Sequence, residues 1–248
     1  MPLLHKLRQY LRPARRKESE PAAAYDIWAL SYDNQPDNLM LALDEALVTT
    51  LLDSTRLSGR VIADIGCGTG RHWKKLFDRG PSRLVGYDVS AGMLKVLQNK
   101  HPQAETYQLS GPLLTDLEDA SCDLVLSTLT VAHIPDLEAA LREWWRILRP
   151  GGEMIITDYH PDALSRGGQR TFREGDQVIA VRNHIYPLLM IREITNRLGL
   201  RQLRVEERKI DDTMRPYYEK QDALSVFERF RGVPIIYGIH LKKPDAAQ

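Results

Sequence analysis

The stretch Val61-Ile62-Ala63-Asp64-Ile65-Gly66-Cys67-Gly68-Thr69-Gly70-Arg71-His72 decides the fold. A short apolar run ends in an acidic residue. Three glycines follow at alternate positions, and a helical pattern begins. This order predicts a buried parallel strand, a tight turn and a helix N-terminus. Glycine has no Cβ, so the turn can be sharp and a ligand can lie against bare backbone. The spacing is G-x-G-x-G. A dinucleotide fingerprint needs G-x-G-x-x-G, and Arg71 stands where its third glycine would fall. The G-K-[ST] ending of a phosphate-binding P-loop is absent.

Arg83-Leu84-Val85-Gly86-Tyr87-Asp88 is a second apolar strand ending in an acid. In doubly wound folds such an acid accepts hydrogen bonds from ribose hydroxyls. Val89-Ser90-Ala91-Gly92-Met93-Leu94 then opens a helix with Ser90 as N-cap. Further strands are expected at 60–65, 83–88, 104–109, 122–128 and 153–158, with helices near 70–79, 90–100 and 136–148. Alternating strands and helices point to a parallel sheet. A helix from Asp37 to about Arg56 precedes them, with Leu39, Leu43, Leu47 and Leu51 on one stripe. After Asp158 the pattern breaks. Residues 161–175 read as a loop or cap insertion, 177–184 as a strand and 187–198 as a helix. Residues 200–209 and 234–242 read as strands, with a helix within 214–231 between them.

The chain has 248 residues, enough for one large α/β domain and its core. Its formal net charge of +1 provides no global field for nucleic acid or anionic membrane. Cys67 and Cys122 form no metal-binding spacing and no disulfide framework, which points to a reducing, cytoplasmic setting. The histidines show no H-x-x-x-H pair, so no metal site is expected. No apolar run reaches transmembrane length. Leu4, Leu7 and Leu11 among basic residues suggest a short amphipathic helix within the basic tail 1–24, for membrane-surface contact or as an organelle presequence; a plain tail or a helix packed on the domain is the alternative.

Four segments carry a resemblance to a family. They are Asp64–Gly70, Gly86-Tyr87-Asp88-Val89-Ser90 with Met93-Leu94, Cys122–Ser127, and Arg146-Ile147-Leu148-Arg149-Pro150-Gly151-Gly152. In this order and spacing they resemble the class I S-adenosylmethionine-dependent methyltransferases, over roughly residues 60–158. The subgroup resembled is the small-molecule, ubiquinone-biosynthesis type. Tyr25-Asp26-Ile27-Trp28-Ala29-Leu30-Ser31-Tyr32-Asp33 is similar to its N-terminal lid.

The resemblance implies an α/β fold: a doubly wound, Rossmann-like sheet, mostly parallel with an antiparallel C-terminal strand. A helical lid (25–57), a cofactor-binding core (58–158) and an acceptor-side insertion with a C-terminal hairpin (159–248) would make one domain. It implies S-adenosylmethionine as cofactor and a small-molecule methyl acceptor, with O-methylation slightly favoured over N- or C-methylation. A catalytically silent cofactor-binding protein of the same fold is the alternative. NAD chemistry fails on glycine spacing. Nucleic-acid methylation lacks its motif, since Ser127-Thr128-Leu129 stands where an Asn-Pro-Pro-Tyr-like segment would be.

By the same resemblance, Gly66, Cys67, Gly68 and Gly70 would bring backbone to the methionine portion of the cofactor. Asp64 would anchor the loop or reach the aminoacyl end through water. Asp88 with Val89 would take the ribose, and Met93 would pack on adenine. Ser110 and Gly111 stand where relatives often carry an acid for the adenine amine; Asp116 or Asp119 are substitutes. Tyr25, Tyr32 and Ser127 complete the expected cofactor set. Methyl transfer needs mainly proximity and water exclusion. His133, His160 and His184, near strand ends on the ligand rim, are candidates for a general base or for structural roles. Tyr217, Tyr218, Phe227 and Phe230, with Trp28 and Tyr32, are candidates for an apolar acceptor pocket or for plain core.

Overall fold

The computed structural model describes residues 15–246, and the Leu4-Leu7-Leu11 stripe lies outside them. The described chain starts with β1 (Arg15–Ser19), α1 (Pro21–Trp28) and α2 (Leu39–Leu52). The central alternation follows: β2 (Val61–Ile65), α3 (Trp73–Phe77), β3 (Arg83–Asp88), α4 (Ala91–Lys100) and β4 (Glu105–Gln108). Then come β5 (Cys122–Thr128), α5 (Leu137–Ile147) and β6 (Leu148–Tyr159). The last part holds α6 (Pro161–Ser165), β7 (Thr171–Glu174), β8 (Gln177–Val181), α7 (Leu188–Arg197) and β9 (Arg201–Lys209). Two short helices, α8 (Arg215–Glu219) and α9 (Leu224–Phe230), precede β10 (Pro234–Lys242).

Seven strands form one sheet in the order β4-β3-β2-β5-β6-β10-β9. β2 to β6 pair in parallel, and β10 pairs antiparallel with both β6 and β9. The inner strands are buried on both faces, which is why they read as continuous apolar runs. Leu141, Trp144 and Ile147 of α5 fill one side against Val125 and Met154. Val48 and Leu51 of α2, with Trp73 and Leu97, fill the other against Ile62 and Leu124. The fold is therefore the doubly wound α/β sheet with an antiparallel C-terminal strand.

Helix ends follow their caps. Asn38 Oδ1 accepts from the Leu41 N–H at 3.2 Å, so α2 starts at Leu39. Ser90 Oγ accepts from the Met93 N–H at 3.1 Å, as its sequence position predicts. The single helix expected within 214–231 is instead two, because Asp222 takes a left-handed φ of 52° between them.

Residues 15–19, read from sequence as part of a tail, are a strand. β1 pairs in parallel with β8, and β8 pairs antiparallel with β7. This three-stranded sheet carries α1: Trp28 stacks on Phe172 with ring centroids 4.5 Å apart. Asp26 Oδ1 accepts from Ser90 Oγ (2.6 Å) and the Gly92 N–H (2.8 Å), and Asp33 Oδ1 accepts from Thr69 Oγ1 (2.7 Å). The cap is thus tied to the start of α4 and to the glycine turn.

Candidate active site

A cavity of about 700 Å³ lies between that cap and the carboxyl ends of the parallel strands. Its floor includes Gly66, Gly68, Asp88 and Thr130. The crevice beyond the carboxyl ends of such strands is where open α/β sheets bind ligands.

The three glycines do different jobs, and all have positive φ. A Cβ on Gly66 would lie 2.0 Å from Thr130 Oγ1, so this glycine allows β5's exit to pass the turn. A Cβ on Gly70 would meet Leu97 at 2.9 Å and Trp73 at 3.2 Å, which is helix packing. Gly68 has nothing within 4 Å and presents bare backbone to the cavity.

Asp88 closes the turn from the next strand. Its Oδ2 accepts from the Gly68 N–H and its Oδ1 from the Ser90 N–H, both at 2.8 Å. Each oxygen keeps a further lone pair for a ligand. Burial raises the Asp88 carboxyl to about 6, with the backbone donors working against that rise.

Val89, Met93, Ser110 and Gly111 line the cavity beside Asp88, and Tyr25 and Tyr32 line it from the cap. Asp64, Cys67, Gly70 and Ser127 lie outside its wall. Asp64 Oδ2 accepts from the Trp73 indole at 2.8 Å, and its Oδ1 is buried without a partner. Burial raises this carboxyl also to about 6. Cys67 Sγ sits against Gly86. Ser127 is fully buried, and its neighbours Thr128, Leu129 and Thr130 reach the cavity instead. Asp119 is paired with Arg146 at 2.7 Å, and neither it nor Asp116 lines the wall.

The three histidines separate. His160 does not line the cavity: its Nδ1 caps α6 by accepting from the Asp162 N–H at 3.1 Å, and its ring packs edge-on to Tyr237. It sits at the strand end but points toward β9 and β10, with Glu207 3.6 Å from Nε2. His133 lines the cavity with both nitrogens engaged. Its Nδ1 lies 2.9 Å from the Arg182 carbonyl, which only accepts, so Nδ1 carries the proton. Its Nε2 therefore accepts from Tyr25 Oη at 2.9 Å. Burial, with the charge of Arg170 adding, pushes this imidazole down to about 3. His184 lines the same cavity beside Tyr186.

Arg170, which sequence reasoning passed over within an insertion loop, stands behind Tyr25. Its Nη1 donates to Tyr25 Oη at 2.7 Å and to the Leu129 carbonyl at 3.3 Å. Leu129 has a φ of 55°, a conformation costing a leucine about 1–2 kcal/mol. That backbone turn lets β5 end with its carbonyl on the guanidinium. The second terminal nitrogen, Nη2, is buried with no partner.

A second cavity, of about 800 Å³, adjoins the first. Trp28, Tyr32, Tyr159, Tyr217, Tyr218 and Phe230 supply its aromatic walls. Phe227, expected among these, is fully buried in the cluster with Ile210 and Met214. Tyr32 and Arg170 line both cavities, so the two meet there.

A buried charged cluster backs the glycine turn. Asp44 of α2 accepts from Thr157 Oγ1, from Arg71 and from His72 Nε2, the last at 3.0 Å. It joins α2, the turn after β2 and β6 into one block.

Sheet order, glycine turn and strand-end acid together define the class I methyltransferase fold. Residues 63–156 match the family model described as a methyltransferase domain. A malonyl-[acyl-carrier protein] O-methyltransferase of Yersinia pestis is 35% identical over 151 residues, covering 60% of this chain and 53% of that protein. The ubiquinone/menaquinone biosynthesis C-methyltransferase UbiE of Hahella chejuensis is 31% identical over 157 residues, covering 59% of this chain and 62% of that protein. The chain therefore spans a little over half the length of these relatives. A putative S-adenosylmethionine-dependent methyltransferase of Listeria monocytogenes has the same fold, with a TM-score of 0.65 at 18% identity, covering 83% of this chain and all of that one. Residues 63–156 are thus similar to a methyltransferase domain, and the chain has the fold of solved S-adenosylmethionine-dependent methyltransferases.

Proposed function

We propose that the protein transfers a methyl group from S-adenosylmethionine to oxygen of a small organic acceptor. The observation that carries this reading is the pair of cavities meeting at Tyr32 and Arg170. One has a ligand cradle, and the other has aromatic walls suited to an organic molecule. The residues fit an adenosyl ligand. Gly68 offers backbone without a Cβ, Asp88 offers free carboxylate lone pairs for ribose hydroxyls, and Met93 offers a polarizable face for adenine. Ser110 and Gly111 supply backbone to the adenine edge in place of an acid.

S-adenosylmethionine supplies an activated methyl on a positive sulfonium. The chain's own residues bind, align and exclude water, which is the larger part of the rate enhancement for such a transfer. Tyr25 and Tyr32 close the first cavity from the cap. His133 holds Tyr25 in place and, with both nitrogens engaged, is a positioning group rather than a base. His184 is the candidate histidine left to act on a proton-bearing acceptor. Its similarity to malonyl-[acyl-carrier protein] O-methyltransferases supports transfer to oxygen. The acceptor-sized second cavity favours turnover over a silent binding role. Residues 25–248 would act as one methyltransferase domain, with 15–24 joined to its cap. The two free cysteines support a cytoplasmic setting.

Calorimetry with S-adenosylmethionine, S-adenosylhomocysteine and NAD tests the reading. Binding of both adenosyl ligands and not of NAD is expected. NAD binding without adenosyl-ligand binding would overturn it.

A further inference from the structure

We infer that the acceptor is an organic acid with an apolar body, that its carboxylate seats against Arg170, and that this carboxylate oxygen is the atom methylated. The inference rests on the methyltransferase reading and sharpens its acceptor.

Arg170 stands at the junction of the two cavities, so whatever it holds lies where a methyl group would pass from one to the other. Its hydrogen bonding is half complete. Nη1 has Tyr25 and the Leu129 carbonyl, and Nη2 is buried with no partner. No carboxylate among the described residues forms an ion pair with it. Asp158 acts on its charge from a distance, but that carboxylate is spent on backbone, accepting from the Ala132 and Tyr159 N–H groups at 2.6 Å. A buried guanidinium lacking an acceptor on one edge is completed by a carboxylate, which brings both lone pairs and the opposite charge.

The second cavity fits the rest of such a molecule. Its aromatic walls suit an apolar body. Its other arginine, Arg229, lies over the Phe230 ring at 4.7 Å and has no carboxylate partner among the described residues. The acid on that wall, Asp37, is neutralised by Lys220 at 2.7 Å. The balance there is positive.

A carboxylate also removes the need for a base, since it is already ionised at neutral pH. One carboxylate oxygen forms the new O–CH₃ bond. The sulfonium C–S bond breaks with its electron pair staying on sulfur, leaving a neutral thioether and a methyl ester, and no proton moves. With His133 fully engaged, this is the chemistry the junction supports.

The test uses the full chain with saturating S-adenosylhomocysteine and two probes of equal length, octanoate and 1-octanol. Binding is read by saturation-transfer NMR. Octanoate is expected to bind at least about tenfold more tightly than octanol, and Arg170→Met should remove that preference. Arg170→Lys keeps the charge and should retain part of it, whereas a merely structural role would make the two variants alike. A methyl-labelled donor with straight-chain acids of about six to twelve carbons gives the second readout. Methyl esters release volatile labelled methanol in alkali, and ethers and methylamines do not. Octanoate binding no better than octanol, or as well in Arg170→Met as in the native chain, would overturn the seat. Label incorporated only into alkali-stable product would overturn the carboxylate as the methylated group. Arg170-dependent octanoate binding without any adenosyl-ligand binding would instead sink the methyltransferase reading and leave the seat standing.

Discussion

The backbone N–H of Gly68 donates to Asp88 Oδ2 at 2.8 Å, so the turn after β2 and the end of β3 behave as one ligand-facing unit. The Asp88 carboxyl titrates at about 6 because it is buried. For folding, a raised carboxyl contributes stability that is fully present below its unfolded value of about 3.9 and is lost as pH rises through about 6. Ligand binding runs the other way, since the ionised carboxylate is the better acceptor for hydroxyls. Affinity for S-adenosylhomocysteine should hold above about pH 7 and fall below about pH 6. Calorimetry across that range should show the fall in the native chain and a weaker, flatter profile in Asp88→Asn. A flat native profile would count against Asp88 as a ligand group.

The glycines should separate under substitution. Gly66→Ala places a methyl on Thr130, so it should lower stability by about 1–3 kcal/mol or more. Gly68→Ala meets no neighbour and carries only the left-handed backbone cost of about 1 kcal/mol. Gly68→Val should stay folded and lose adenosyl-ligand binding. Thermal melts beside calorimetry distinguish the two positions. Normal binding by a folded Gly68→Val protein would remove the turn from the site.

Asp44→Ala should cost about 3–5 kcal/mol in urea unfolding, because it removes the buried partner of Arg71 and His72 and leaves them only the half-exposed Glu45, at 3.7 and 3.2 Å. Burial alone would raise the Asp44 carboxyl. Its His72 hydrogen bond and the Arg71 charge overcome that and hold it well below the usual range. Burial likewise lowers His72, and the hydrogen bonds to Asp44 and then Glu45 turn the balance upward. The Asp44 contribution is present above about pH 4 and is lost as pH falls through its depressed value. The His72 contribution is present below about pH 6.5 and is lost as pH rises through its raised value. The variant should lose the Asp44 limb and keep only the part of the His72 limb that Glu45 sustains.

His160→Ala should leave turnover within about threefold, against the 10²–10⁴-fold loss expected for a general base. Its effect should fall on stability, at about 0.5–2 kcal/mol for the lost α6 cap. A large fall in kcat with unchanged stability would restore His160 to the chemistry.

The strands β3 and β5 were legible to the residue, because a parallel strand buried on both faces writes itself as an apolar run with sharp ends. The positions of Gly68 and Asp88 followed from the same signal. What the sequence did not carry was direction and distance. His160 occupies a strand end, yet nothing in its neighbours tells which way the ring turns once the chain leaves the sheet. Arg170 sits in a segment with no periodicity, and only tertiary packing brings it to Tyr25, 145 positions away. Asp26 and Asp33 lie inside a recognised motif, but their partners Gly92 and Thr69 are 66 and 36 positions off. Hydrogen bonds across such spans leave no local pattern to read.

The parallel pairing of β1 with β8 has a kinetic consequence. Glu18 of β1 and Arg182, just past the end of β8, are joined across it and are 164 positions apart. Closing so long a loop carries a large entropic cost that only late, cooperative contacts offset. The seven-stranded body is built largely from neighbours in sequence, and it can form while the first strand still waits for its partner. The roof over the first cavity is therefore expected to be the last part of the molecule to assemble and the first to open under denaturant. Hydrogen exchange should find the amides of β8 among the least protected strand amides, and bound S-adenosylhomocysteine should slow them.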